Sequence, residues 1–335
     1  MTTSAVRSYR SSAGTLGFAL FLAIAVVPIA ASLLYALLYT LGLTGLLSNG
    51  FTLTTWSRVV TSRETWAAFG ISAYVSAVVC ALSTFGGLGV ALFLRSAGVP
   101  PAIAARPRAA TVLGRIVRAR GRKGHSVEIV PPGEDARRLQ AGRLHSRAIA
   151  FLYLPLALPM TVGAFAGYQI LSPIGLFARI AARIHLIGGA QEFPAFTNDV
   201  LHLGVIAVHV LLALPFFALL FLQLCESERV DAYAALSRSL GATDRQTLLR
   251  VTLPILLHRT RVNVLLLFVI VLGSYEIPLL LGRQYPMMVS VLTVTKYQRF
   301  DLLQKPEAFA IAILYTIVSG AAIVIALRQR QEETA

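Results

Sequence analysis

Charge is what this 335-residue chain has least of: 13% of its residues are charged, against about a quarter in a soluble domain, while 56% are hydrophobic. That shortage excludes an ordinary cytosolic enzyme. Cysteine is nearly absent, and Cys80 and Cys225, far apart in sequence, imply neither a disulfide framework nor a metal site. The three lysines, Lys123, Lys296 and Lys305, sit in no Gly-x-x-x-x-Gly-Lys-Ser/Thr context, so no phosphate loop equips the chain to hydrolyse ATP. His202 and His209 share one helical face but lack a third ligand at metal-binding spacing. No cofactor, metal or catalytic residue is expected.

What the sequence does contain is long uncharged runs, and a helix needs about 20 apolar residues to cross the hydrocarbon. Between Arg10 and Arg58 lie 47 uncharged residues, between Glu64 and Arg95 30, between Arg147 and Arg179 31, and between Asp199 and Glu226 26. Arg261 to Glu276 leaves 14 that continue apolar to Gly282, and Glu307 to Arg328 leaves 20. These runs predict an all-α membrane protein with six transmembrane helices, near 15 to 40, 67 to 93, 148 to 170, 201 to 224, 262 to 282 and 308 to 327. Gly42, Gly45 and Ser48-Asn49-Gly50 mark a turn after the first span.

Orientation follows from arginine and lysine, which concentrate in cytoplasmic segments. With the N-terminus inside, 22 of the 30 basic residues fall on the cytoplasmic side. The expected organisation is a cytoplasmic N-terminus (1–14), helices 1 and 2 (15–94), a basic cytoplasmic loop (95–147), helices 3 and 4 (148–224), a second cytoplasmic loop (225–261), helices 5 and 6 (262–327) and a cytoplasmic tail (328–335). The 95–147 loop carries 12 basic and 3 acidic residues and suits contact with membrane lipid, with a basic helix over Thr111 to Ala119 and a short strand over Ser126 to Val130. The chain's net charge of +15 is read as topology, not as a nucleic-acid footprint. On the outer side, Ile174 to Ile187 has the spacing of an amphipathic helix at the interface.

The second cytoplasmic loop is too polar for a span and too regular for a loose connection. Residues 230 to 236 are helix-forming, Gly241 interrupts, Asp244 can cap, and a helix restarts over Gln246 to Val251 before Leu253-Pro254. Two short helices joined at a glycine form a knob suited to docking a soluble partner.

Ala235-Leu236-Ser237-Arg238-Ser239-Leu240-Gly241-Ala242 followed by Val251-Thr252-Leu253-Pro254 resembles the cytoplasmic loop signature of binding-protein-dependent ABC importer permeases. That pattern runs Glu-Ala-Ala, three residues, Gly, nine residues, an aliphatic, one residue, Leu-Pro. Gly241, Val251, Leu253 and Pro254 match, whereas the family's Glu falls on Ala235 and its Ala pair on Leu236 and Ser237; Asp231, one turn earlier, is the candidate substitute for the acid. The resemblance implies alternating access in the bacterial cytoplasmic (inner) membrane, both termini inside. It also implies partners: ATPase subunits docked on the loop, a second permease subunit and an extracytoplasmic solute-binding protein. A secondary transporter or channel, working without an ATPase, is the rival; a lipid- or nucleic-acid-binding membrane protein is a second, resting on the 95–147 loop alone.

Glu276 is the single acid inside an expected span, where an ionisable group usually faces a partner or a watery cavity. With Tyr275 beside it and Pro278 two residues on, it is the sequence's pathway candidate. Gly273-Ser274-Tyr275-Glu276-Ile277-Pro278 also resembles permeases for polyamines and related small cations, which puts a polyamine-like cation ahead of a sugar, thiamine or ferric iron as substrate.

Overall fold

The computed structural model describes residues 3–45, 50–96, 150–189, 192–302 and 304–332. The helix and strand expected within 95–147 lie outside them. Every regular element among the described residues is a helix, and six are long and apolar enough to cross a membrane: Leu20–Thr40, Arg63–Ser96, Met160–Arg183, Leu203–Ser227, Asp244–Leu272 and Lys305–Ile325. The chain is an all-α, multi-pass membrane protein.

In order the helices are α1 (Thr3–Thr40), α2 (Thr54–Thr61), α3 (Arg63–Ser96), α4 (150–156), α5 (Met160–Leu171), α6 (Leu176–Arg183), α7 (Leu203–Ser227), α8 (Val230–Ser239), α9 (Asp244–Thr247), α10 (Leu253–Leu272), α11 (Glu276–Leu281), α12 (Val289–Gln298) and α13 (Lys305–Glu332). They divide into two compact units, one comprising residues up to Ile71 with Pro286–Ala321, the other Ser72–Tyr285 with Ala322–Ala335.

In the first unit the end of α1 packs through aromatic edges, Phe309 lying 5.0 Å from Tyr39 and 6.4 Å from Tyr35 between ring centres. The glycines that signalled a turn adopt the backbone it needs, Gly42 at φ +73° and Gly45 at φ +112°. Trp56 closes the corner by donating from Nε1 to Thr40 Oγ1 at 3.1 Å. Beneath lies an apolar core of Val59, Ala68, Val289, Leu292, Ala310 and Ile311. Lys296 is 8% exposed beside it. Its ammonium is 3.0 Å from Glu307 and 3.3 Å from Glu64, and Glu307 also takes Arg58 at 3.2 Å. Two positive and two negative groups on α2, α3, α12 and α13 thus neutralise one another, which an apolar setting demands.

In the second unit α5 offers Gly163, Ala164 and Gly167, all buried, as a smooth face. A methyl at Gly167 would overlap Val208 of α7, and one at Gly163 would lie 3.0 Å from Leu212, so the Gly-x-x-x-Gly spacing permits the close approach. Gly87 does the same for α3, where a Cβ would stand 2.9 Å from the Ala218 backbone nitrogen. Phe217, Phe221, Leu222 and Leu256 form the core with Leu88 and Ala91.

Two expected spans are not continuous. The third, expected over 148 to 170, ends at 156 and restarts at Met160, because Pro159 has no N–H to donate and pushes Leu158 out of helical geometry. The fifth, expected over 262 to 282, unwinds at Gly273–Tyr275 between α10 and α11. The helix expected at the interface is shorter than its pattern, Leu176–Arg183. His202, 2% exposed, precedes α7 with φ +54°. Burial pushes its imidazole below the usual histidine range; Asp199 opposes the shift and Arg283 adds to it.

Lys296→Met would leave half-buried Glu64 without its cation and Glu307 with Arg58 alone; thermal unfolding in detergent should show a loss of about 2 kcal/mol, largely spared by Lys296→Arg. The His202 shift sets a second expectation. The unfolded chain takes up a proton below about pH 6.5 while the folded one resists it, so stability is full above that pH and falls as the medium is acidified through the depressed value. His202→Asn, whose side chain tolerates the left-handed backbone, should flatten that dependence in a pH series of melting curves.

Candidate functional site

The segment between α7 and α10 folds as a compact knob, and its residues explain how. Helix α8 ends where Gly241 takes φ +87°, with the Gly241 N–H donating to Arg238 O at 3.0 Å and the Ala242 N–H reaching back to Ser237 O at 3.1 Å. This double bond pattern is a Schellman stop. Thr243 then starts the next helix: its hydroxyl accepts from the Gln246 N–H while the Gln246 carboxamide oxygen accepts from the Thr243 N–H. The cap is therefore Thr243, not Asp244, which occupies the first helical turn; the Thr-x-x-Gln spacing completes a reciprocal box that Asp244 has no partner to form.

The two halves are pinned together by Ser237 Oγ and Thr247 Oγ1, 2.8 Å apart. Helix α9 does not stop before Leu253-Pro254 but runs on, widening into a π turn over Leu248–Thr252. Pro254 cannot donate to the carbonyl of Arg250 and its ring would press on it; the wider turn relieves both. Asp231 pairs with Arg95 at the end of α3, and Glu228 holds Arg259 of α10 at 3.1 Å. The knob is tied to helices on both sides.

One edge of its exposed surface is apolar. Val230 and Ala234 turn inward and are buried, but Tyr233, Leu236 and Leu240, at i, i+3 and i+7, are 53%, 58% and 81% exposed. Ala235 is exposed beside them and Ser237 is half-buried. Asp231, Ala235, Ser237, Gly241 and Ala242 are thus brought together, with Leu253 and Pro254 at the foot of α10.

Tyr275 and Glu276 lie elsewhere, beyond the full length of α10, roughly 30 Å of helix. Both are half-buried, and Glu276 has no ion-pair partner among the described residues. At the unwound stretch beside them, His209 Nδ1 stands 2.8 Å from Val205 O and Nε2 3.0 Å from Ser274 Oγ. A carbonyl only accepts, so Nδ1 carries the proton and Nε2 accepts from Ser274.

Between α7, α10 and the α4–α5 break is a cavity of about 320 Å³. Its walls are Leu156, Met160, Leu212, Phe216, Leu266 and Ile270 among others, with His209 and Asn263 as the two polar side chains and no charged one. Neither Tyr275 nor Glu276 lines it. Asn263 was not singled out from sequence, although a lone carboxamide inside an apolar run just past Arg261 is a legible signal.

No protein-family model and no curated protein matches the sequence. Among solved structures, the fold is similar to a chain of a bacterial ABC transporter involved in the import of the acidic polysaccharide alginate, with TM-score 0.64 and 15% identity over 98% of this chain and 97% of that one. At that identity the likeness is one of fold.

Gly241 tests the knob's construction. A Cβ there would meet nothing within 4 Å, so Gly241→Ala carries only the left-handed backbone penalty, about 1–2 kcal/mol, and Gly241→Asn should restore part of it. Faster amide exchange confined to residues 237–247 is the expected signature.

Proposed function

We propose that the chain is the permease subunit of an ATP-driven, binding-protein-dependent importer of a small solute, sited in the bacterial cytoplasmic membrane with both termini inside. The observation that carries this reading is the knob: a helical turn built around Gly241 that exposes Tyr233, Leu236 and Leu240 outside any membrane-length helix. Contiguous apolar side chains in water mark an interaction surface. The Gly241 to Leu253-Pro254 spacing and the fold likeness both agree with an ATPase as the occupant.

On this reading ATP is hydrolysed in partner subunits. Closure of the ATPase pulls on the knob, and the Asp231–Arg95 and Glu228–Arg259 pairs pass the displacement to α3 and α10. Gly241 and Ala242 shape the tip, Ser237 braces it, Leu253 and Pro254 join it to the membrane helix, and exposed Ala235 gives the ATPase an apolar contact where the family carries Glu. A second permease subunit completes the pore, and an extracytoplasmic solute-binding protein delivers the cargo. The polyamine-like cation rests on Tyr275 and unpaired Glu276 alone, because the cavity has no charged lining. A secondary transporter or channel would leave the exposed apolar edge without a purpose.

Affinity purification in mild detergent tests the reading. An ATPase subunit should accompany the wild-type chain and fall at least tenfold with Leu240→Asp, while a change at an exposed apolar residue outside the knob, Phe300→Ser, retains it. A wild-type chain that purifies alone, under conditions that keep other membrane complexes together, would overturn the proposal.

A further inference from the structure

Asn263 presents a physical anomaly. It lies nearly three turns inside α10, on a wall made otherwise of Leu, Met, Phe, Ile, Val and Ala with His209. A carboxamide offers two donors and two acceptor sites, and in a bilayer no solvent satisfies them. His209 has both ring nitrogens engaged by Val205 and Ser274. Asn263, in contrast, has no hydrogen-bond partner among the described residues. An unsatisfied amide in an apolar wall is unfavourable unless something that enters the cavity meets it.

The cavity's chemistry narrows what that something is. At about 320 Å³ it falls at the lower end of small-molecule sites. A charged solute would find no counter-charge in the lining, and desolvating it there would be costly. An acyl chain would fill the apolar walls but leave the carboxamide unsatisfied. Phe216, 43% exposed, adds a flat apolar surface to the same cavity. We infer that the cavity is a solute-binding site for a neutral molecule with one apolar face and hydroxyl or amide groups on the other, and that Asn263 is the residue that selects it.

This rests on the importer reading, and the experiment separates the two. Uptake of radiolabelled maltose, trehalose, sucrose, mannitol and glycerol, and of spermidine and putrescine, is measured in cells lacking the chain and in cells complemented with wild type, Asn263→Leu, Asn263→Gln or Glu276→Gln. ATPase co-purification checks each variant's assembly. The expected result is that deletion abolishes uptake of a neutral hydroxylated probe. Asn263→Leu, nearly isosteric but without hydrogen-bonding atoms, lowers it roughly tenfold with the complex intact, and Asn263→Gln recovers part. If spermidine or putrescine uptake depends on the chain, falls with Glu276→Gln and survives Asn263→Leu, the neutral-solute site is wrong and the importer reading stands. If cells carrying Asn263→Leu in an intact complex take up the neutral probe as fast as wild type, Asn263 is not the selecting residue. If no ATPase co-purifies with the wild type, the importer reading fails first and the inference falls with it.

Discussion

Hydrocarbon gives a peptide group nothing to bond to, and that constraint shapes every part of this chain. It forces the backbone into helices and confines each interruption to a place where other groups make good the missing bonds. At 157–159 the Leu158 N–H turns back to Pro155 O, and at Gly273–Tyr275 the Ser274 N–H turns back to Val271 O while the Ser274 hydroxyl engages His209. Both interruptions lie in the second unit, and the α4–α5 break helps wall the cavity without charged lining between α7 and α10. Regular backbone supplies the span; irregular backbone supplies the space.

Charges obey the same rule. Lys296 is tolerated because Glu64 and Glu307 neutralise it and Arg58 balances the second acid, so four helices of the first unit share one electrically closed cluster. Around the knob, where water is available, the pairs are more exposed: Asp231 is 81% exposed in its bond to Arg95, and such pairs contribute about 0–1 kcal/mol. The knob's shape comes instead from its backbone, from the Gly241 stop and the Thr243–Gln246 box.

Much of this was legible in the sequence because its signals are local. Uncharged runs locate the helices, and Gly241 with Leu253-Pro254 locates the knob. Other local signals were present and unread: Thr243-x-x-Gln246 spells the capping box that Asp244 was expected to supply, and Gly163-x-x-x-Gly167 announces close packing on α7. What the sequence does not carry is convergence. Arg95 meets Asp231 across 136 positions, and Leu156, His209 and Asn263 reach one cavity from three separate helices. Glu276 stood out as the lone acid of its run, yet the fold turns the cavity toward an uncharged neighbour on the same run. Composition identifies a rare residue; only the fold identifies which one faces the space.

What covers Tyr233, Leu236 and Leu240 decides whether the knob docks an ATPase. A photo-reactive phenylalanine analogue at position 240, activated in intact membranes, captures the contact directly. The account predicts a single cross-linked polypeptide that carries an ATP-binding phosphate loop and whose yield changes when ATP is trapped in the complex. Cross-links to lipid alone, or to a second copy of this chain, would contradict it.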